Sequence, residues 1–88
     1  MEYQIGQVVY AKSGHDKGDV LLIVSVEGDY VHLADGKRRK LEKPKRKKKI
    51  HIQPTSYIEE ELAEALQKNS YVLDAEVAKA LKKYQKKQ

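Results

Sequence analysis

The sequence has no cysteine, no phenylalanine and no tryptophan, and only two prolines and one methionine. Without cysteine, a disulfide framework and a Cys-ligated zinc site are excluded. No stretch is long and apolar enough to form a bilayer-spanning helix. The opening segment, MEYQIGQVVY, lacks a basic start, an apolar h-region and a small-residue cleavage site, so no signal peptide is expected and the cytoplasm is the expected compartment. There is no Gly-rich phosphate loop and no nucleophile elbow. The three histidines, His15, His32 and His51, do not have metal-ligand spacing. The expectation is a protein that is not an enzyme, with no cofactor, no metal and no small-molecule substrate. At 88 residues the chain fits one domain. A domain of that size buries only about 60% of its unfolded surface, which leaves little room for a deep catalytic pocket.

Acidic residues are scarce in one place. Residues 37–49, KRRKLEKPKRKKK, hold ten basic residues and a single acid, Glu42, for a net charge of +9. Residues 1–36 carry two basic and six acidic residues, and residues 50–88 carry six of each. The chain's overall +5 is therefore owed entirely to thirteen residues. Like charges at this density repel one another, and folding gains nothing from crowding them. An external polyanion would neutralise them. The plainer reading is a solvated basic loop or a localisation signal. Against it, Leu41 and Pro44 interrupt the run and β-type segments flank it, as expected of a run built into the fold.

Residues 7–13 read as a strand rich in β-branched and aromatic residues, and residues 14–19, GHDKGD, as a glycine-bracketed turn. The nearly continuous apolar run VLLIVSV at 20–26 is the most buried strand expected. Residues 30–34 alternate, with Val31 and Leu33 on one face and Tyr30 and His32 on the other. Asp35–Gly36 predicts a two-residue hairpin turn. It would lead into a strand at 37–41 with Leu41 inward and Arg38 and Lys40 on the opposite face to Lys37 and Arg39. A looser loop, 42–49, would follow, and then a strand at 50–53 with Ile50 and Ile52 inward. Five short strands joined by Gly and Asp turns predict a small closed or partly open barrel.

After Pro54 the pattern becomes helical. Ser56 with Glu59 fits a capping box, and Ile58, Leu62, Ala65 and Leu66 fall on one stripe ending at Asn69–Ser70. Asp74 is a candidate N-cap for a second helix, with Val77, Ala80, Leu81 and Tyr84 on one face and Lys82, Lys83, Lys86 and Lys87 near its end. Tyr71, Val72 and Leu73 would be the apolar link. The expected division is a barrel at 1–54 and a helical extension at 55–88.

The segment from Gly6 to Gly18, GQVVYAKSGHDKG, followed by the apolar strand, resembles a KOW motif, with Gly18 as its hallmark glycine. The segment from Asp35 to His51, DGKRRKLEKPKRKKKIH, resembles small bacterial KOW proteins. These are grouped with the fourteen-e, six-e and twenty-seven-e classes of archaeal and eukaryotic large-subunit ribosomal proteins. The likeness covers residues 5–53 and not the helical tail. It implies an SH3-like five-stranded barrel that binds RNA, either rRNA or another structured RNA, with the ribosome a possible partner. It also implies that the first strand–strand loop touches RNA, which nominates Lys12, His15 and Lys17. From charge alone the candidates are Lys37, Arg38, Arg39, Lys40, Lys43, Lys45, Arg46, Lys47, Lys48 and Lys49. His51, which closes the matching segment, joins them.

Each candidate has a plainer role beside it. Arg39 is as readily a structural ion pair with Asp35 or Glu42 as a phosphate ligand. Asp16 reads as a turn residue bonding its own backbone. Tyr10 and Tyr30 are either base-stacking platforms or core. The rival for the whole protein is a protein–protein adaptor, in which the basic run meets an acidic partner and the helical tail is a docking surface. No membrane is expected as a partner, and the free protein is expected to be a monomer.

Overall fold

The alternating strand residues of the first half sort into two apolar layers. In the computed structural model, which describes residues 2–87, β1 (Gln7–Ala11) and β2 (Val20–Glu27) lie in the middle of a five-stranded antiparallel sheet. Its order is β4-β3-β2-β1-β5, with β3 at Tyr30–Ala34, β4 at Lys45–Lys48 and β5 at Ile52–Ile58. A short 3₁₀ turn, Lys49–His51, joins the two outermost strands. Two helices follow, α1 (Glu60–Gln67) and α2 (Asp74–Lys86). The architecture is thus mainly β with a C-terminal helical part, and the strand order is compatible with an SH3-like barrel. No helix among the described residues is long and apolar enough to cross a membrane.

Successive strand residues face opposite ways. Val9, Ala11, Leu21, Ile23, Val31, Leu33 and Ile52 fill the inside of the curved sheet. Val8 and Leu22, on the other face, pack with Leu62, Val77, Ala80, Leu81 and Tyr84 of the helices. This explains the apolar run Val20–Val24 of β2, since a strand covered on both faces has no polar side to show. The four expected core residues of α2 are the four that it buries.

Several sequence expectations are corrected. The strand expected at 37–41 is a braced loop, and the strand actually formed, β4, lies inside the segment expected to be loose. Lys45 to Lys48 carry no apolar alternation for a sequence reading to detect. They become a strand by pairing in register with Leu33 to Tyr30. As the edge of the sheet, β4 is a place where lysines are favoured, because charge discourages edge-to-edge association. Ile50, expected inward, lies in the 3₁₀ turn and is 69% exposed. The strand β5 continues beyond Pro54 to Ile58, so the expected boundary falls within it and Ser56 is no helix cap. Pairing wins there. Ile58 sits opposite Gln7, and the Thr55 hydroxyl donates to the Val8 carbonyl at 2.7 Å. Asp74 is the first residue of α2 rather than its cap; the Glu76 carboxylate instead accepts the Leu73 N–H at 3.0 Å. Of the expected apolar link, Tyr71 and Leu73 are exposed.

Candidate functional site

The hairpin expected at Asp35–Gly36 is instead the first corner of an internally hydrogen-bonded loop, residues 35–44. The Asp35 side chain accepts the backbone N–H groups of Lys37 at 2.8 Å and Arg39 at 2.9 Å. In the reverse direction the N–H groups of Asp35 and Gly36 donate to the Arg39 carbonyl. Further along, the Leu41 N–H donates to the Asp74 carboxylate at 2.7 Å, and the Leu41 side chain packs against the helix-side core. The basic loop is therefore pinned to the start of α2.

A third aspartate fixes the loop to the turn between β1 and β2. Asp16, expected only to shape its own turn, has a side chain 4% exposed. It accepts Arg39 Nη2 through both carboxylate oxygens, at 2.9 and 3.2 Å. Arg38 lies between Asp16 at 3.6 Å and Asp19 at 3.4 Å. Neither Asp35 nor Glu42 is the ion-pair partner of Arg39. Lys47 reaches the same turn, where its Nζ donates to the Ser13 carbonyl at 2.6 Å. These contacts bring together the two sequence-nominated segments, the turn carrying Lys12, His15 and Lys17 and the basic run. All three of those side chains are exposed. His51, also exposed, lies in the 3₁₀ turn, and its carbonyl accepts the Lys12 N–H at 2.8 Å.

Burial pushes the Asp16 pKa up, but the Arg39 hydrogen bond and the charges of Arg39, Lys47 and Arg38 outweigh it and hold the carboxyl below its ordinary value. A carboxyl depressed in the folded state contributes stability above its unfolded pKa, near 4, and loses that contribution as pH falls through the folded value. The expected result is that Asp16→Asn lowers the melting temperature at pH 6. The gap from wild type should narrow below about pH 4. Thermal melts of both proteins across that range check it, and a pH-independent gap would refute the assignment.

The ten cations divide into two groups. Arg38, Arg39, Arg46 and Lys47 have internal partners. Arg46 lies 3.4 Å from Glu27 and stacks its guanidinium 3.6 Å above the Tyr30 ring. Glu27 is held below the ordinary glutamate pKa, first by its hydrogen bond with His32 and then by Arg46. By contrast Lys37, Lys40, Lys43, Lys45, Lys48 and Lys49 have no carboxylate partner among the described residues. Lys49 instead lies near the Tyr3 ring, 5.5 Å from its centre.

The loop and β4 together enclose an open groove of about 600 Å³, lined by Arg38, Arg39, Lys40, Lys43, Lys45 and Arg46, with Pro44 at its wall and Glu42 its one acid. Lys12, His15, Lys17, Lys37, Lys47, Lys48, Lys49 and His51 lie outside that lining. Tyr10 is committed to the core, its hydroxyl 3.3 Å from that of Tyr84. No cluster of histidine and carboxylate side chains suited to a metal ion occurs among the described residues. The aspartates that hold the loop, Asp16, Asp35 and Asp74, were not sequence candidates. The Asp16 and Asp74 contacts span 23 and 33 positions and show only in the folded chain, whereas Asp35 bonds the backbone two and four positions on, a local pattern that an aspartate before a turn signals.

No protein-family model matches this chain, and no curated protein matches it in sequence.

Proposed function

We propose that this protein binds RNA, with the groove between loop 35–44 and β4 as the phosphate-binding centre. One observation carries the reading: six Arg and Lys side chains line the groove against one Glu, on a backbone fixed by Asp16, Asp35 and Asp74. Fixed cations facing solvent gain by releasing counterions from a polyanion. The internally bonded arginines are held for orientation, and the free lysines supply point charges that a phosphate backbone satisfies. RNA is preferred to DNA on the KOW resemblance of residues 5–53, and the ribosome is one source of such RNA. Translation-linked work in the cytoplasm follows from the same resemblance.

The test is the salt dependence of binding to a structured RNA. With about six phosphates engaged, the logarithm of the affinity should fall against the logarithm of salt with a slope on the order of −4 to −5. A slope near zero would refute the reading. A second reading, an adaptor for an acidic protein, draws on the same groove, with the exposed Tyr71 and Leu73 as apolar anchors. Competition separates the two: structured RNA should displace an acidic peptide from the groove, and failure to do so would favour the adaptor.

A further inference from the structure

The cationic surface continues past the groove. A second cleft, of about 450 Å³, shares Arg38 with it and runs between Lys37 on the loop and Ala78, Lys82 and Gln85 of α2. Its two acids are already engaged: Asp19 with Arg38, and Asp35 with the backbone N–H groups of Lys37 and Arg39. A third hollow, of about 350 Å³, shares Lys82 and lies among the lysine stems of α2.

Lys79, Lys82, Lys83 and Lys86 recur at helical spacing on the face opposite the buried Val77, Ala80, Leu81 and Tyr84. They rise over about 10 Å of helix. The helix dipole accounts for cations in the last turn, where Lys83 and Lys86 lie, but its effect fades within that turn and leaves Lys79 and Lys82 unexplained. None of the four has a carboxylate partner among the described residues.

The three clefts carry charge with no aromatic ring in their linings. Tyr10, Tyr57 and Tyr84 pack on one another, with ring centres 6.2 and 5.3 Å apart. Tyr30 is capped by Arg46 and Tyr3 is bonded to the Lys49 carbonyl. Tyr71 is open and shares a hollow with Lys79 and Lys83, but Glu59, Glu61 and Glu76 line that hollow too and repel a phosphate backbone there, and Tyr71 lines none of the three clefts described above. Proteins that hold single strands rely on aromatic platforms for the bases. Duplex RNA is instead held through phosphates, 2′-hydroxyls and shape.

We infer that the lysine face of α2 continues the RNA site, and that the ligand is the backbone of double-helical RNA lying across loop 35–44, Lys82 and α2. This rests on the RNA reading above. The experiment compares the full chain with its K79Q/K82Q/K83Q/K86Q variant, using an RNA duplex of two helical turns and oligouridine of equal nucleotide length. Wild type should prefer the duplex about tenfold or more. The variant should bind the duplex about 10- to 100-fold more weakly near 0.1 M salt, with a salt slope shallower by about 2 to 3, and four Lys→Arg changes should retain wild-type binding. If the fourfold variant melts early, K82Q alone should still make the slope shallower by about 1. Wild type that binds the duplex while the Gln variants keep its affinity and slope overturns this inference alone, as does oligouridine binding as tightly as duplex. Wild type that binds neither RNA overturns the RNA reading itself.

Discussion

Changing Lys40, Lys43 and Lys45 together to glutamine is expected to weaken RNA binding by about 10²-fold or more near physiological salt, and to make the salt slope shallower by about 2 to 3. These three line the groove and have no carboxylate partner among the described residues. Removing their charge leaves no partner stranded, so the melting temperature should hold or rise slightly as local repulsion is relieved. The other cations would make a poorer test. Arg39 holds Asp16, Arg46 covers Tyr30, and Lys47 is bonded to the Ser13 carbonyl, so their loss would mix folding with binding. Isothermal or anisotropy titrations over a salt series measure both quantities. Wild-type affinity in the triple variant would remove the groove from the binding site.

The largest expected effect on folding is at Gly36. Its φ is +81°, in the region that side chains disfavour, and it lies against the first turn of α2. A Cβ there would collide with the Asp74 carbonyl oxygen and come 2.9 Å from the Ala78 nitrogen, both backbone atoms that cannot swing aside. Left-handed strain costs about 1–3 kcal/mol and overpacking a similar amount. Gly36→Ala is therefore expected to cost roughly 3–5 kcal/mol, which lowers the melting temperature of a domain this size by about 15 °C or more. Gly18 is the control. Its φ is +88°, but a Cβ on Gly18 would have nothing within 4 Å of it. Gly18→Ala should show the strain alone, about 1–3 kcal/mol. Equal melting temperatures for the two variants would show that close approach to α2 is not what Gly36 serves.

Both predictions depend on how the loop is held, and that was only partly legible in the sequence. The strands β1, β2 and β3 were readable because their pattern is local: β-branched residues, alternation, and glycine turns that close them. The core face of α2 was readable from its period for the same reason. The concentration of charge at 37–49 was plain from composition. The shape of that segment was not, because a run of lysines and arginines has no apolar period to distinguish strand from loop. Asp35 shows the difficulty. Asp–Gly is a common hairpin signal, yet here the Asp35 carboxylate turns inward and bonds the Lys37 and Arg39 N–H groups, building a wider loop.

By itself the sequence determined the order and type of most elements, the inward face of β3, the core stripe of α2, and the location of the positive charge. Each depends on neighbours along the chain. Tertiary structure alone decided which cations are free to meet a ligand. Asp16 lies 23 positions from Arg39, and Asp74 lies 33 positions from Leu41, so no local pattern pairs them. Their contacts form only when the β1–β2 turn and the start of α2 close on loop 35–44. That closure ties up Arg38 and Arg39, leaves Lys40, Lys43 and Lys45 facing solvent, and sets Lys82 of α2 beside Lys37.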